Sequence, residues 1–366
     1  MNGRERFVRS PVLAVACAFW LVGVAWVFLP GPCRAAARGA SNKPFQEQPL
    51  GSNTGYFPGR SYRLGSTVAN LGGFLVAEGS RPEGEQTELS VDDLTFLLWV
   101  EATPKLRLFS EIQVNNLFLA ADDAKTISSD PGLQVNRIYG DLDLGDRLSI
   151  RVGKFLTPIG RWNPVLAEPF VWTTSEPRIA DLAFDDTTTG AMVGGAAFSE
   201  NGTFHYSIYG QFLDPSKPDS EPPHASRSVG TRVEYMSLLG GWSVGGSFLA
   251  VEKDGLWHYL GGLDGLLQHG PLEITGELLV EDGKLEERRL WGAYVQGVYE
   301  LVTGFHLIAR LEHFDRTNGG VPLNPVDAGV AWFPKANLLL KADYLLTDHR
   351  TDDVAPGIRA SVSLLF

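Results

Sequence analysis

Sulfur is scarce in this chain: two Cys, Cys17 and Cys33, and three Met occur among 366 residues. Both cysteines fall in the N-terminal segment, so loss of that segment leaves no thiol, and disulfide scaffolds and thiolate metal sites are excluded. Past residue 30 there is no uncharged apolar run of about 18 residues, which excludes a bundle of transmembrane helices. Clusters of Lys and Arg are missing as well. The net charge is −12, and nucleic-acid binding through counterion release is not expected. The G-x-S-x-G, H-E-x-x-H, P-loop and dinucleotide fingerprints of common enzymes do not occur. We therefore expect no enzymatic activity and no cofactor. His205, His258, His306 and His313 lie on predicted strands, where a solvated residue outweighs a catalytic one, and His349 with Asp352 and Asp353 reads as an ordinary turn.

What is present first is an export signal. Arg4, Arg6 and Arg9 form a basic region, Val12 to Leu29 an apolar one, and Ala35-Ala36-Ala37 a small-residue cleavage site. Residues 1–37 are thus expected to be a cleaved leader, and 38–63, rich in Gly, Pro, Asn and Ser, a flexible periplasmic lead-in.

From Leu64 onward, segments of about 10 to 14 residues alternate apolar and polar at period two, the pattern of strands with one oily and one polar face. Ile358, Ala360, Val362, Leu364 and Phe366 share a face against Arg359, Ser361 and Ser363. Leu272, Ile274, Leu278 and Val280 oppose Glu273, Thr275 and Glu277 in the same way. A soluble sandwich strand is about 5 to 6 residues long, whereas a tilted membrane strand needs about 9 to 11. The segments fit the longer class. The fold class predicted is all-β: a transmembrane antiparallel β-barrel of about 16 strands, within 14–18, over residues 64–366. The segments near 187–199 and 256–267 alternate poorly.

The links support the same reading, because outer-membrane barrels have short periplasmic turns and longer outer loops. Thr103-Pro104, Gly145-Asp146, Glu200-Asn201 and Leu239-Gly240 are short. Residues 79–90, 119–132, 158–186 and 215–226 are long, and 253–255 breaks the rule. Trp242, Phe305, Trp332 and Phe366 are expected in a periplasmic aromatic girdle, with Phe212, Trp257 and Trp291 near the opposite rim.

Two stretches point to function. The terminal Phe366 on an amphipathic strand resembles the signal read by the barrel-assembly machinery. Gly153, Lys154, Phe155, Pro158, Ile159 and Gly160 then close a strand before the longest link, and this motif resembles barrels of the phosphate-selective porin O and P superfamily. The resemblance implies a porin of the bacterial outer membrane, in contact with membrane lipids and lipopolysaccharide. Porins in general also imply a homotrimer and a third outer loop folded into the lumen. Here that loop is 158–186, with Arg161, Glu168, Glu176, Arg178, Asp181 and Asp185 as constriction candidates and Trp162, Phe170 and Trp172 as anchors.

By alternation Arg107, Glu111, Arg137, Asp141, Arg151, Arg232, Glu234, Glu277, Arg310, Glu312, Lys341 and Asp343 face the lumen. Asp93, Glu101, Asp143, Glu273, Glu300 and Arg359 join them. Acids outnumber bases, so the family's anion-binding residues are not carried over, and many charges are expected to pair across strands. The expected function is passive diffusion of ions or small polar solutes, weakly cation-preferring or non-selective. The alternative is a barrel that serves as a scaffold or binding partner without conducting.

Overall fold

The computed structural model describes residues 60–64, 67–121, 127–145, 147–213, 227–253, 255–283, 289–316, 321–351 and 354–366. The expected leader, most of the lead-in, and Asp352 and Asp353 lie outside them.

Period-two alternation becomes 16 long strands: β1 (Thr67–Pro82), β2 (Glu88–Glu101), β3 (Leu106–Asn115), β4 (Gly132–Gly145), β5 (Leu148–Leu156), β6 (Thr187–Phe198), β7 (Gly202–Gln211) and β8 (Arg227–Ser237), followed by β9 (Trp242–Lys253), β10 (Leu256–His269), β11 (Leu272–Gly283), β12 (Arg289–Val302), β13 (Phe305–Arg316), β14 (Val326–Lys335), β15 (Leu338–Leu346) and β16 (Gly357–Leu365). Each pairs antiparallel with its chain neighbours, and β16 returns to β1 in register from Gly357↔Pro82 to Leu365↔Phe74. The sheet is therefore closed, which leaves no unpaired edge for lipid to meet. The two weakly alternating segments are full strands, β6 and β10. Their ladders are carried by backbone hydrogen bonds that Gly and Ala serve as well as larger residues.

The seam is completed by the chain end. Phe366 exchanges both backbone hydrogen bonds with Gly73 at 2.9 Å, and its ring meets that of Phe96 edge-on at 6.1 Å. A Cβ on Gly73 would strike that ring and the Thr95 carbonyl. Beyond Phe366, a short strand (Arg60–Leu64) pairs with the first residues of β1.

Three boundaries differ from expectation. The first outer link narrows to 83–87 because β1 and β2 both run on past their apolar segments. β3 does not stop at the following link but kinks at Asn116, φ 53°, and continues along β2 as Phe118–Ala121. A two-residue strand, Ile127–Ser128, pairs with that extension.

The faces follow the alternation. Ile358 is 55% exposed on the outer surface and Ser361 on the opposite face 3%. Trp242, Trp332 and Phe366 are exposed at the rim that carries the short turns, where the rings of Phe204, Tyr235 and Trp242 follow one another, tilted, at 4.8 and 5.3 Å. His313 faces outward rather than into the lumen, because it follows Leu311 on the oily face of β13; it packs on Trp291 at 4.4 Å.

The inner face departs from a purely polar wall. Phe74, Val76, Leu97, Phe109, Phe155, Leu249, Val251, Leu260 and Leu279 all point inward and are buried. They form one cluster with Ile159, Trp162, Val171, Ile179 and Phe184 of the long link. Burial of each such side chain stabilises by about 1.5 to 3 kcal/mol, so the link and the inner wall share a core.

Gly153 on β5 has φ 136°, and a Cβ there would meet the Ile138 carbonyl and Tyr139. Two residues earlier on the same strand, the Arg151 guanidinium lies 3.8 Å from the centre of the Tyr139 ring. Gly153→Val is expected to cost at least about 1 to 3 kcal/mol of backbone strain and to lower the denaturant midpoint at which the fast-migrating folded band disappears on unboiled gels. Gly297→Ala, with open space around its Cβ, is the control expected to leave that midpoint unchanged.

Candidate functional site

The link between β5 and β6 starts and ends on a clamp. Thr157 N–H donates to the Asp186 carbonyl at 2.8 Å, and its hydroxyl donates to the Asp185 carbonyl at 2.7 Å. The Asn163 amide donates to the carbonyls of Thr157 and Asp186 at 2.8 and 2.9 Å. With its stem held, the chain turns inward at Pro158-Ile159-Gly160. Gly160 has φ 62°, and a Cβ on it would fall on the Glu277 carboxylate.

That carboxylate, on β11, is the docking point. Glu277 Oε1 accepts the backbone N–H of Arg161 at 2.7 Å and that of Trp162. The Tyr294 hydroxyl on β12 donates to the same oxygen at 2.8 Å. The Arg161 side chain runs the other way, to Glu234 at 2.5 Å and the Ser243 hydroxyl at 2.6 Å, with Asp264 at 3.5 Å.

From there the segment crosses the lumen, and each successive stretch takes a partner from the wall. The 3₁₀ turn Glu168–Phe170 sets the Phe170 ring edge-on to Phe74 at 6.0 Å. Glu168 pairs with Lys341 at 2.5 Å and accepts the Ser361 hydroxyl at 2.8 Å. Lys341 also donates to the carbonyls of Glu168, Val171 and Thr173, and Trp172 Nε1 donates to Glu273 at 2.9 Å. Thr174 donates through N–H and hydroxyl to Asp343 Oδ1 at 2.9 and 2.7 Å. Arg310, fully buried, donates to the Ser175 carbonyl at 2.8 Å, to the hydroxyls of Thr173 and Ser175, and to Glu312 at 2.7 Å. The Ser175 hydroxyl in turn donates to Asp327. A six-residue helix, α1 (Arg178–Ala183), closes the crossing. Its Arg178 N–H donates to Glu312 at 3.0 Å, and Ile179 lies against Gly292 of β12.

The twelve lumen candidates all point inward, but most are covered and paired instead of bare. On β3 to β5 the pairs are Arg107–Asp143 at 3.0 Å, Arg151–Asp141 at 2.8 Å, and Arg137–Glu111. Each guanidinium also faces an aromatic ring, of Trp99, Tyr139 and Phe109 respectively. On β8 and β10, Arg232 meets Asp264 through two hydrogen bonds at 2.6 and 2.9 Å. Of the constriction candidates, Arg161 and Glu168 are spent on anchoring the loop. Glu176, Arg178, Asp181 and Asp185 gather at its outer end, where Arg178 and Asp181 pair at 2.7 Å. Burial, then the nearby Asp186 and Asp181, push the Glu176 carboxyl up to about 8.

Asp264, Asp327, Tyr294, Ser175 and Asn163 belong to the site and are not marked by alternation. Asp264 sits in the Gly-rich β10, whose weak periodicity hides its face, and Asn163 and Ser175 act from a segment with no period at all.

No protein-family model matches the chain, and no curated protein resembles it in sequence. Solved structures do share the fold. The anion-selective porin from Comamonas acidovorans superposes with a TM-score of 0.58 at 11% identity, over 82% of this chain and 100% of that one. The outer membrane protein OmpT of Vibrio cholerae, in its trimer form, gives 0.58 at 12%, over 82% and 100%. The outer membrane channel DcaP of Acinetobacter baumannii gives 0.57 at 10%, over 84% and 100%. These likenesses establish a porin-type barrel.

Glu277→Ala strips the acceptor from three donors and is expected to free the loop. Trypsin should then cut at Arg161 or Arg178 in folded protein that is resistant when Glu277 is present, and Tyr294→Phe should give a smaller effect. Equal resistance in Glu277→Ala would show that the loop is held from elsewhere.

Proposed function

We propose that the chain is an outer-membrane porin through which ions or small polar solutes diffuse passively, with weak cation preference or none. The observation that carries this reading is a closed 16-strand barrel whose lumen is crossed by one long loop bound to the facing wall. The exposed apolar outer surface suits contact with lipid and lipopolysaccharide. A final Phe366 locked into the closing seam suits a signal read by the barrel-assembly machinery after export through the leader. The reading includes a homotrimer, supported by the trimeric form of a protein with this fold. No enzymatic step and no cofactor enter it.

Selectivity follows from a local excess of one sign, since a neutralised pair contributes little field to a passing ion. On the strands most Arg and Asp or Glu cancel. At the loop's outer end Asp181, Asp185 and Asp186 outnumber Arg178, which supports cation preference. The motif from Gly153 to Gly160 favours kinship with the phosphate-selective porin O and P superfamily, but here its Gly160 docks a loop and the site around it is rich in carboxylates.

A second reading is a scaffold barrel without conduction. It is favoured by the apolar cluster shared between loop and wall. Reconstitution into a planar bilayer separates the two, because a porin gives discrete conductance steps and a scaffold none.

In that bilayer, with a salt gradient, Asp181→Asn and Asp185→Asn should each lower the cation-to-anion permeability ratio. One charge about 10 Å from an ion in water is worth about 0.4 kcal/mol, or roughly a factor of two. The ratio should also depend on pH. Glu176 is neutral below about 8 and gains its negative charge as pH rises through that value, so cation preference should grow between pH 7 and 9. Glu176→Gln should flatten this rise; a rise that persists in the variant would assign it to other groups.

A further inference from the structure

The aromatic rings on the outer face are unevenly placed. Phe96 stands on β2, and from β7 to β16 every strand except β11 carries an outward ring, counting Phe366 at the end of β16. Between these flanks, β3 to β6 carry none among the described residues. Their outward side chains are aliphatic or small, and Leu108, Ile138, Leu142, Val152 and Val193 are all exposed.

The strand register shows where the rings stop. Opposite Phe96, β3 presents Ile112, and opposite Phe204, β6 presents Ala197. At the other end of the strands, the Phe212 N–H donates to the Thr189 carbonyl at 3.1 Å, and the row then continues to Lys154 on β5. The Tyr206 hydroxyl reaches over Gly195 to donate to the Arg147 carbonyl at 2.9 Å. The belt therefore closes at the edge of β6.

Rings gather on the lipid-facing side of a barrel because the headgroup layer buries the ring and keeps its polar atom wet. A face covered by protein needs no belt. The face of β3 to β6 is nonetheless apolar, so water is not its natural cover. Its width and relief are informative. Four of the 16 strands span roughly a quarter of the circumference, and equal cylinders around a threefold axis each meet two neighbours in directions about 60° apart. A threefold contact is also head to tail, so one half of the sector meets the other half of the next copy. Here the halves differ: Leu108, Ile112 and Ile138 stand large on β3 and β4, whereas β6 presents Thr189, Ala191 and Gly195.

Resting on the homotrimer of the reading above, we propose that β3 to β6 form the contact between copies of this chain. The large side chains of β3 and β4 of one protomer pack on the small ones of β6 of the next. The belted remainder of the surface meets lipid.

The test uses the full chain with Cys17→Ser and Cys33→Ser, so that one introduced thiol is the only one. Val152→Cys lies at the middle of the sector on β5, where a threefold axis brings copies of the same residue together, and Leu311→Cys lies on β13, across the barrel. In outer-membrane vesicles treated with a short bifunctional maleimide, Val152→Cys should give a covalent dimer at least tenfold more abundant than Leu311→Cys does. Light scattering of the uncross-linked, detergent-extracted protein should give the mass of three chains. A trimeric mass without cross-linking from Val152→Cys, in protein that keeps the fast-migrating folded band, would overturn this choice of face and leave the homotrimer standing. A monomeric mass would overturn the face and the homotrimer together, and bilayer conductance of the same sample would decide the porin reading separately.

Discussion

The Glu277 carboxylate is the fixed point on which the interior depends. A carboxylate on the inner face of a barrel is an ordinary way to keep a lumen wet, but this one is covered, and a covered charge must be met by donors or it destabilises the fold. Three donors converge on its Oε1: two consecutive backbone N–H groups of the loop and the Tyr294 hydroxyl. Consecutive N–H groups can aim at one oxygen only where the chain turns sharply, which is the role of the positive φ at Gly160. The barrel therefore holds the loop and the loop neutralises the barrel. Neither arrangement is reasonable without the other.

The same logic extends along the crossing. A segment with one six-residue helix and two 3₁₀ turns satisfies few of its own backbone groups, and buried N–H and C=O groups without partners are costly. The wall supplies what secondary structure does not. Lys341 takes three carbonyls, Asp343 takes an N–H and a hydroxyl, and Arg310 takes a carbonyl and two hydroxyls. These long, multiply donating or accepting side chains project from β13 and β15, which face the loop's stem across the lumen. Their charges do structural duty first.

The architecture was legible in the sequence to the extent that it rests on period-two alternation. Strand positions, the facing of Ile358 against Ser361, and the phase of short and long links all follow from burying one face in lipid. Alternation could not reveal what fills the lumen. Phe74, Leu97, Phe155 and Leu279 sit at inward positions, where a water-filled pore calls for polar residues, because a folded loop gives them apolar surface to pack against. A period analysis treats them as noise on each strand separately. It likewise misses Asp264 and Asp327, whose strands are diluted by Gly and Ala, whereas His313, two residues after Leu311, falls on the outer face by period and lies beside Trp291. The motif from Gly153 to Gly160 was visible as a motif, but its meaning depends on Glu277, more than a hundred residues away.

Pairing also changes what the charge count of the wall means. Counting inward acids against bases treats every charge as facing water, and by that count the wall is acidic. Once Arg151 with Asp141, Arg137 with Glu111, and Arg232 with Asp264 are paired off at hydrogen-bond distance, each leaves a short dipole whose field falls away quickly. What remains is a local excess of acid at the loop's outer end, where Asp181, Asp185 and Asp186 gather around Arg178. The net charge of the wall therefore says less about the field in the lumen than the local balance at that end of the loop does.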